Sequence, residues 1–235
     1  MPHGRTGKAF TCLVPGCETH NDGRFGVLCS KHRQNRVRNG HPEQSAVTET
    51  ELRPYEDHAR RILEANRYKP LWETLFRRWQ LAGDKADEVM AQWTRGQPMD
   101  KTVKAAAESF VAIKEEVEPM KVLSIIIGMH LYRAQRPHRF KSDEGFNFTL
   151  VRRVRALTKS HAVYYYHPNG KVRAANYIAL PIASTKRVAE WINTVFGTIA
   201  LAIVQKLEEK KQKDDEARRD FNRMVSEITV EDESP

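Results

Sequence analysis

The chain lacks a long apolar run. The longest, around residues 122–129, is far too short to span a bilayer, and the opening Met-Pro-His-Gly-Arg has no apolar signal core. No membrane contact is expected, and the expected location is the cytoplasm, in association with the nucleoid. A phosphate-cradling glycine loop and an internal repeat are also missing. So are a paired-histidine metal motif and an Asp/Glu cluster that could hold Mg²⁺ for phosphodiester cleavage. Tyr164, Tyr165 and Tyr166 alternate within an expected strand rather than forming a nucleophile site. No catalytic residue is assigned, which makes a binding protein the first expectation. The alternatives are a nuclease or recombinase with an atypical site and a protein-bridging subunit of a nucleoprotein assembly.

Cysteine is scarce as well. All three cysteines fall within residues 10–42, where Cys12, Cys17, Cys29 and His32 stand in the order C-x4-C-x11-C-x2-H. Two ligands on a tight turn, a spacer, and two more ligands allow four side chains to converge on one Zn²⁺. The Pro15-Gly16 pair inside the first interval reverses the chain so that both sulfurs face one ion. His20 repeats the Cys-x2-His spacing behind Cys17 and is a competing fourth donor. Residues 1–42 carry seven Lys/Arg and show little apolar periodicity, so this segment cannot bury a core of its own. A structural metal would supply the missing folding free energy.

Lys31, Arg33, Arg36 and Arg38 interleave with the last ligands. Cys29-Ser-Lys-His32 followed by Arg36-Val-Arg-Asn-Gly-His-Pro42 resembles the short zinc-binding modules of phage and bacterial mobile-element proteins, some of them attached to HNH endonucleases. The resemblance covers about the first 42 residues and implies nucleic-acid contact. It carries over no nuclease centre, because no His…Asn…His arrangement follows the module.

What the chain has in excess is positive charge: 39 Lys+Arg against 30 Asp+Glu, a formal net charge of +9. That balance draws phosphate and fits nucleic acid, DNA in preference to RNA. Helical spacing recurs at residues 45–66, 69–82 (stopped by Gly83), 84–93, 100–117 (capped by Asp100), 120–133 and 148–157. Two β-prone runs then flank Pro168-Asn169-Gly170, where Asn-Gly suits a two-residue type I′ hairpin turn. Between residues 133 and 173 stand ten Lys/Arg. Arg133, Arg136, Arg139, Arg152, Arg153, Arg155, Lys159, Lys171 and Arg173 are the candidates for contact with phosphate.

The expected fold is mainly α (α+β): a knuckle at 1–44, a helical domain at 45–118, a helix-plus-hairpin domain at 119–207, and a charged extension with an acidic tail at 208–235. The order of helix, basic helix and hairpin permits a winged helix-turn-helix; the alternative is a hairpin that only covers the helix at 120–131. Ser184 is the expected cap of the last long helix. Its stripe of Trp191, Val195, Phe196, Ile199 and Ile203 is either docked within the chain or the face of a homodimer or other subunit contact over 184–207.

Overall fold

A computed structural model describes residues 11–20, 26–159, 162–166 and 168–231, with backbone alone for 162–166, 172–177 and 225–231. Seven helices carry the described fold. The knuckle ends in α1 (Ser30–Asn39). The body comprises α2 (Glu49–Ala65), α3 (Leu71–Thr94), α4 (Lys101–Glu116), α5 (Pro119–Gln135), α6 (Asp143–Arg155) and α7 (Ile182–Glu231). A short 3₁₀ turn spans Pro137–Arg139, and β1 (Ala162–Tyr166) and β2 (Val172–Tyr177) form one antiparallel pair.

The body has a single hydrophobic core. It joins Leu52 and Leu63 of α2, Trp79 of α3, Phe110 of α4, Ile126 of α5, Leu150 of α6 and Phe196 of α7. The segments 45–118 and 119–207 share this core, and no break occurs near residue 118. The centre is α5, whose apolar residues run all round the helix, so neighbours must cover every face. At Gly128 a Cβ would lie 2.8 Å from the Glu56 backbone nitrogen, and that absence lets α2 and α5 cross closely.

Gly83, expected as a stop, lies inside α3. The helix continues, and Gly83 sits directly beneath the Lys114 side chain of α4, which a Cβ at this position would strike. Lys114 then reaches Asp84 at 3.1 Å and Asp87 at 2.8 Å. Here the missing side chain makes room for a crossing rather than ending a helix.

Ser184 does not cap α7, which begins at Ile182; the buried Ser184 hydroxyl instead donates to the Thr102 carbonyl at 2.8 Å. The apolar stripe is largely covered within the chain, with Val188, Ile192, Val195 and Phe196 all buried in the shared core and Trp191, Ile199 and Ile203 partly so. It therefore needs no second subunit to bury it. Beyond Leu207 the helix runs exposed and charged as far as its side chains are described. One helix among the described residues, across Ile182–Met224, is long and apolar enough to cross a membrane, and 39% of its apolar window is buried inside the chain.

The hairpin pairs Tyr166 with Val172 and Ala162 with Tyr177, with an irregularity between Val163 and Tyr164. Five residues separate the strands, and Gly170 has φ 77° while no described non-glycine residue has positive φ. The turn is therefore not type I′, which needs positive φ at Asn169 as well. A winged helix-turn-helix is not formed either. A recognition helix must offer a face to a groove, whereas Phe146, Phe148, Thr149, Leu150, Val151, Val154 and Arg155 of α6 are all buried.

Candidate metal centre and basic face

The first ligand turn builds itself from Val14-Pro15-Gly16-Cys17. The Cys17 N–H donates to the Val14 carbonyl at 3.0 Å, and Gly16 takes φ 76°, the left-handed value a type II turn requires after proline. Two more backbone bonds close the loop: the Cys12 N–H to the Thr19 carbonyl at 3.1 Å and the Leu13 N–H to the Val27 carbonyl at 2.9 Å. The second ligand pair rides on α1. Cys29 stands at its N-cap in extended conformation, so Cys29 and His32 lie one helical turn apart on the same side.

Together these elements bring the ligand atoms of Cys12, Cys17, Cys29 and His32 within 4.8 Å of one another. His32 Nδ1 lies 3.3 Å from Cys12 Sγ and 3.4 Å from Cys29 Sγ, and Cys17 Sγ lies 3.9 Å from Cys29 Sγ. A tetrahedron around Zn²⁺, with bonds of about 2.3 Å to sulfur and about 2.0 Å to nitrogen, has edges of roughly 3.8 Å (S···S) and roughly 3.5 Å (S···N). The donor set fits a metal ion of that size. His20 does not join the cluster; it is exposed and pairs with Thr11 in an isolated β-bridge.

The electrostatics of the thiols are uneven. The Thr19 hydroxyl and N–H hold the Cys17 thiol below its ordinary value. At Cys29 the His32 N–H pulls the same way but is outweighed, and burial with the Cys12 and Cys17 thiols leaves it raised. Stacking three sulfurs this closely makes full ionisation unfavourable without a cation, and a divalent ion removes that conflict.

The knuckle is fixed to the body at the far end of α1. Gly40 closes the helix with φ 80°, and a Cβ there would meet the Glu144 carbonyl of α6 at 2.8 Å. Asn39 is buried; its amide donates to the Gln44 carbonyl at 2.9 Å and its oxygen accepts from Arg152 at 3.1 Å. Gln44, fully buried, donates to the Arg139 carbonyl at 3.0 Å and accepts from the Lys141 N–H at 2.9 Å. Glu51 completes the anchor. Burial pushes its carboxyl up, but the Thr48 N–H, the Arg139 guanidinium and the Tyr132 hydroxyl outweigh that and bring it down to about 2. Of these anchors the sequence signals only the Thr48-x2-Glu51 capping box; Asn39, Gly40 and Gln44 carry no local signature.

The expected basic residues separate into two groups. Lys31, Arg33, Arg36 and Arg38 are exposed along α1, and Arg136, Lys159 and Lys171 are also exposed. The others are engaged inside the protein. Arg139 pairs with Glu51 at 2.9 Å, Arg153 with Glu56 at 2.9 Å and with Glu49 at 3.1 Å, and Arg133 with Asp143 at 2.7 Å. Arg152 donates to Asn39 and to the Val47 carbonyl, and Arg155, only 5% exposed, donates to the Ile178 carbonyl at 2.9 Å. These five hold elements together and do not form an open phosphate-facing surface. The Arg173 side chain lies outside the described residues.

No protein-family model, curated protein or solved structure matches the chain.

Proposed function

We propose that the chain is a non-catalytic, zinc-containing nucleic-acid-binding protein, with DNA as the preferred partner, in which the Cys12/Cys17/Cys29/His32 site positions α1 as the contact element. The observation that carries the reading is the join between the two features. The last two metal ligands stand at the start of a helix whose Lys31, Arg33, Arg36 and Arg38 are all solvent-facing, and that helix is locked to the body at Asn39 and Gly40. A metal at one end and a close-packed glycine at the other give a short helix the fixed orientation that phosphate contacts need. Zinc is the expected ion because thiolate and imidazole suit it and reduced cysteines are its usual donors. The resemblance to mobile-element zinc modules supports a role in the cytoplasm, on phage, plasmid or transposon DNA.

The test is a gel-shift and anisotropy panel with duplex DNA, single strands and structured RNA, run at two salt concentrations. Duplex binding that weakens with salt and is lost after zinc removal is the expected result. Binding that survives both Arg33→Ala with Arg36→Ala and metal removal would overturn the reading.

A further inference from the structure

Beside α1 lies a cavity of about 670 Å³ with a one-sided charge. Arg38 of α1 and Arg152 and Arg155 of α6 line it, and no Asp or Glu is among the described residues of its lining. Two larger cavities differ in this respect. The one between α2 and the starts of α3 and α5 carries Glu49, Glu56 and Glu118 beside its arginines, and the one below α7 carries Glu208, Asp214 and Asp215 beside its lysines. The rest of the first cavity is mostly apolar: Val37, Val47, Phe148 and Leu180 form its wall, and Thr185 of the first turn of α7 closes one side.

We propose that this cavity is a nucleotide-binding site, taking one nucleotide unit with its phosphate on the arginine side and its base against the apolar wall. The choice of ligand rests on reading α1 as the nucleic-acid face, with Arg38 belonging to both. The size suits a single small ligand, since pockets for such ligands run from about 300 to about 1,000 Å³. A duplex backbone would pass over the mouth, but a strand end or an unpaired nucleotide could enter. Guanidinium groups are the natural phosphate partners, because their planar fork presents several N–H donors at once. Arg152 and Arg155 are already oriented by the Asn39 oxygen and by the Val47 and Ile178 carbonyls, so binding would not have to order them. The start of α7 adds a favourable dipole near an anion.

The shared chemistry is a phosphate monoester or diester carrying a base, and two sources could deliver it: a free nucleotide or a nucleic-acid strand. Ala179 is exposed and lines the cavity without belonging to the core. Ala179→Glu should therefore place a carboxylate in the anion path without unfolding the protein, with Ala179→Gln as the neutral control and Gln80→Glu on α3 as the charge control. The readout is anisotropy of a labelled eight-nucleotide single strand with a 5′-phosphate, with adenosine monophosphate as competitor.

At least a tenfold loss of strand affinity in Ala179→Glu, with less than twofold change in both controls, supports the site. Competition by the mononucleotide then assigns it to free nucleotides as well; absence of competition assigns it to strands alone. Strand binding unchanged in Ala179→Glu overturns the site, while Lys31→Ala with Arg33→Ala still reports separately on α1 through duplex affinity. If the wild type binds neither strand nor duplex, yet binds labelled adenosine monophosphate directly by anisotropy in a way that Ala179→Glu abolishes, the cavity stands and the α1 reading falls.

Discussion

The knuckle and the helical body solve the same problem by different physics. Apart from its ligands and the anchor at Asn39, Gly40 and Gln44, the described part of the knuckle buries almost nothing: Cys12, Val14 and Cys29 are its buried hydrophobic residues, and two of them are metal ligands. The body draws every helix from α2 to α7 into one core, in which Trp79 stacks on Phe196 at 5.3 Å between ring centroids and Phe110 meets Trp191 edge-on at the same distance. One part depends on coordination and the other on apolar burial. The two should therefore fail independently, and the experiments that separate them run from large effects to small.

Cys29→Ser should have the largest effect. It removes one ligand and exchanges a thiol that the other donors surround, so the purified protein should drop from about one equivalent of zinc to none by metal analysis. Far-UV circular dichroism should lose no more than the contribution of α1, because the body core contains no knuckle residue. Loss of helicity across the whole chain would mean that the two parts are not separable.

The reciprocal change is Phe110→Ala. Phe110 is fully buried between Trp79 and Trp191, and such truncations cost about 3–5 kcal/mol. The midpoint of urea unfolding should fall accordingly while zinc content stays at one equivalent. Zinc loss in the folded variant would show that the core, rather than the anchor at Asn39 and Gly40, orients the site.

Acid sharpens the contrast within the body. His130 is tucked against Phe146, with ring centroids 4.7 Å apart. Burial, aided by the Arg133 charge, lowers its pKa to about 4 from an ordinary 6.5. The folded state therefore holds its proton more weakly than the unfolded chain. The stability tied to neutral His130 should be complete above pH 6.5 and decline as the pH falls from 6.5 toward about 4. A second decline should follow below pH 4.5 as Glu51 is protonated on the way to about 2. Two-dimensional NMR of the histidine rings would check the first step; a His130 titration midpoint near 6.5 would contradict it.

The smallest effect belongs to Ser109. Its hydroxyl is the one buried side-chain polar atom among the described residues without a hydrogen-bond partner. Ser109→Ala should be neutral or stabilise by up to about 1 kcal/mol in the same urea experiment.

The sequence disclosed the knuckle and most helices because both are local signals. C-x4-C-x11-C-x2-H is read within a few turns of chain, and Asp100 and Thr48 mark helix starts by their own side chains. It misjudged features whose meaning depends on a distant partner. Gly83 looks like a stop until Lys114 lies over it. Arg153 looks phosphate-facing until Glu56, 97 residues away, takes its guanidinium at 2.9 Å. The same holds for Arg152 and Arg155 of α6, because a charge at helical spacing does not reveal whether its face meets solvent or another element. The cavity beside α1 was not legible either, because it joins residues from four separate stretches of chain.

The buried amide of Gln44 also bears on the order of assembly. The contacts that shape the metal site span 3 to 20 residues (Cys29 to His32, Cys12 to His32), whereas Gln44 waits for partners 95 and 97 residues further on. Short loops close at lower entropic cost and sooner than long ones. During synthesis the knuckle leaves the ribosome before the body, so it can capture its ion while α5 and α6 are still being made. Metal supply would then be a demand of the nascent chain, met before the body exists, and the joint at Asn39 and Gln44 would lock only once α6 has been made.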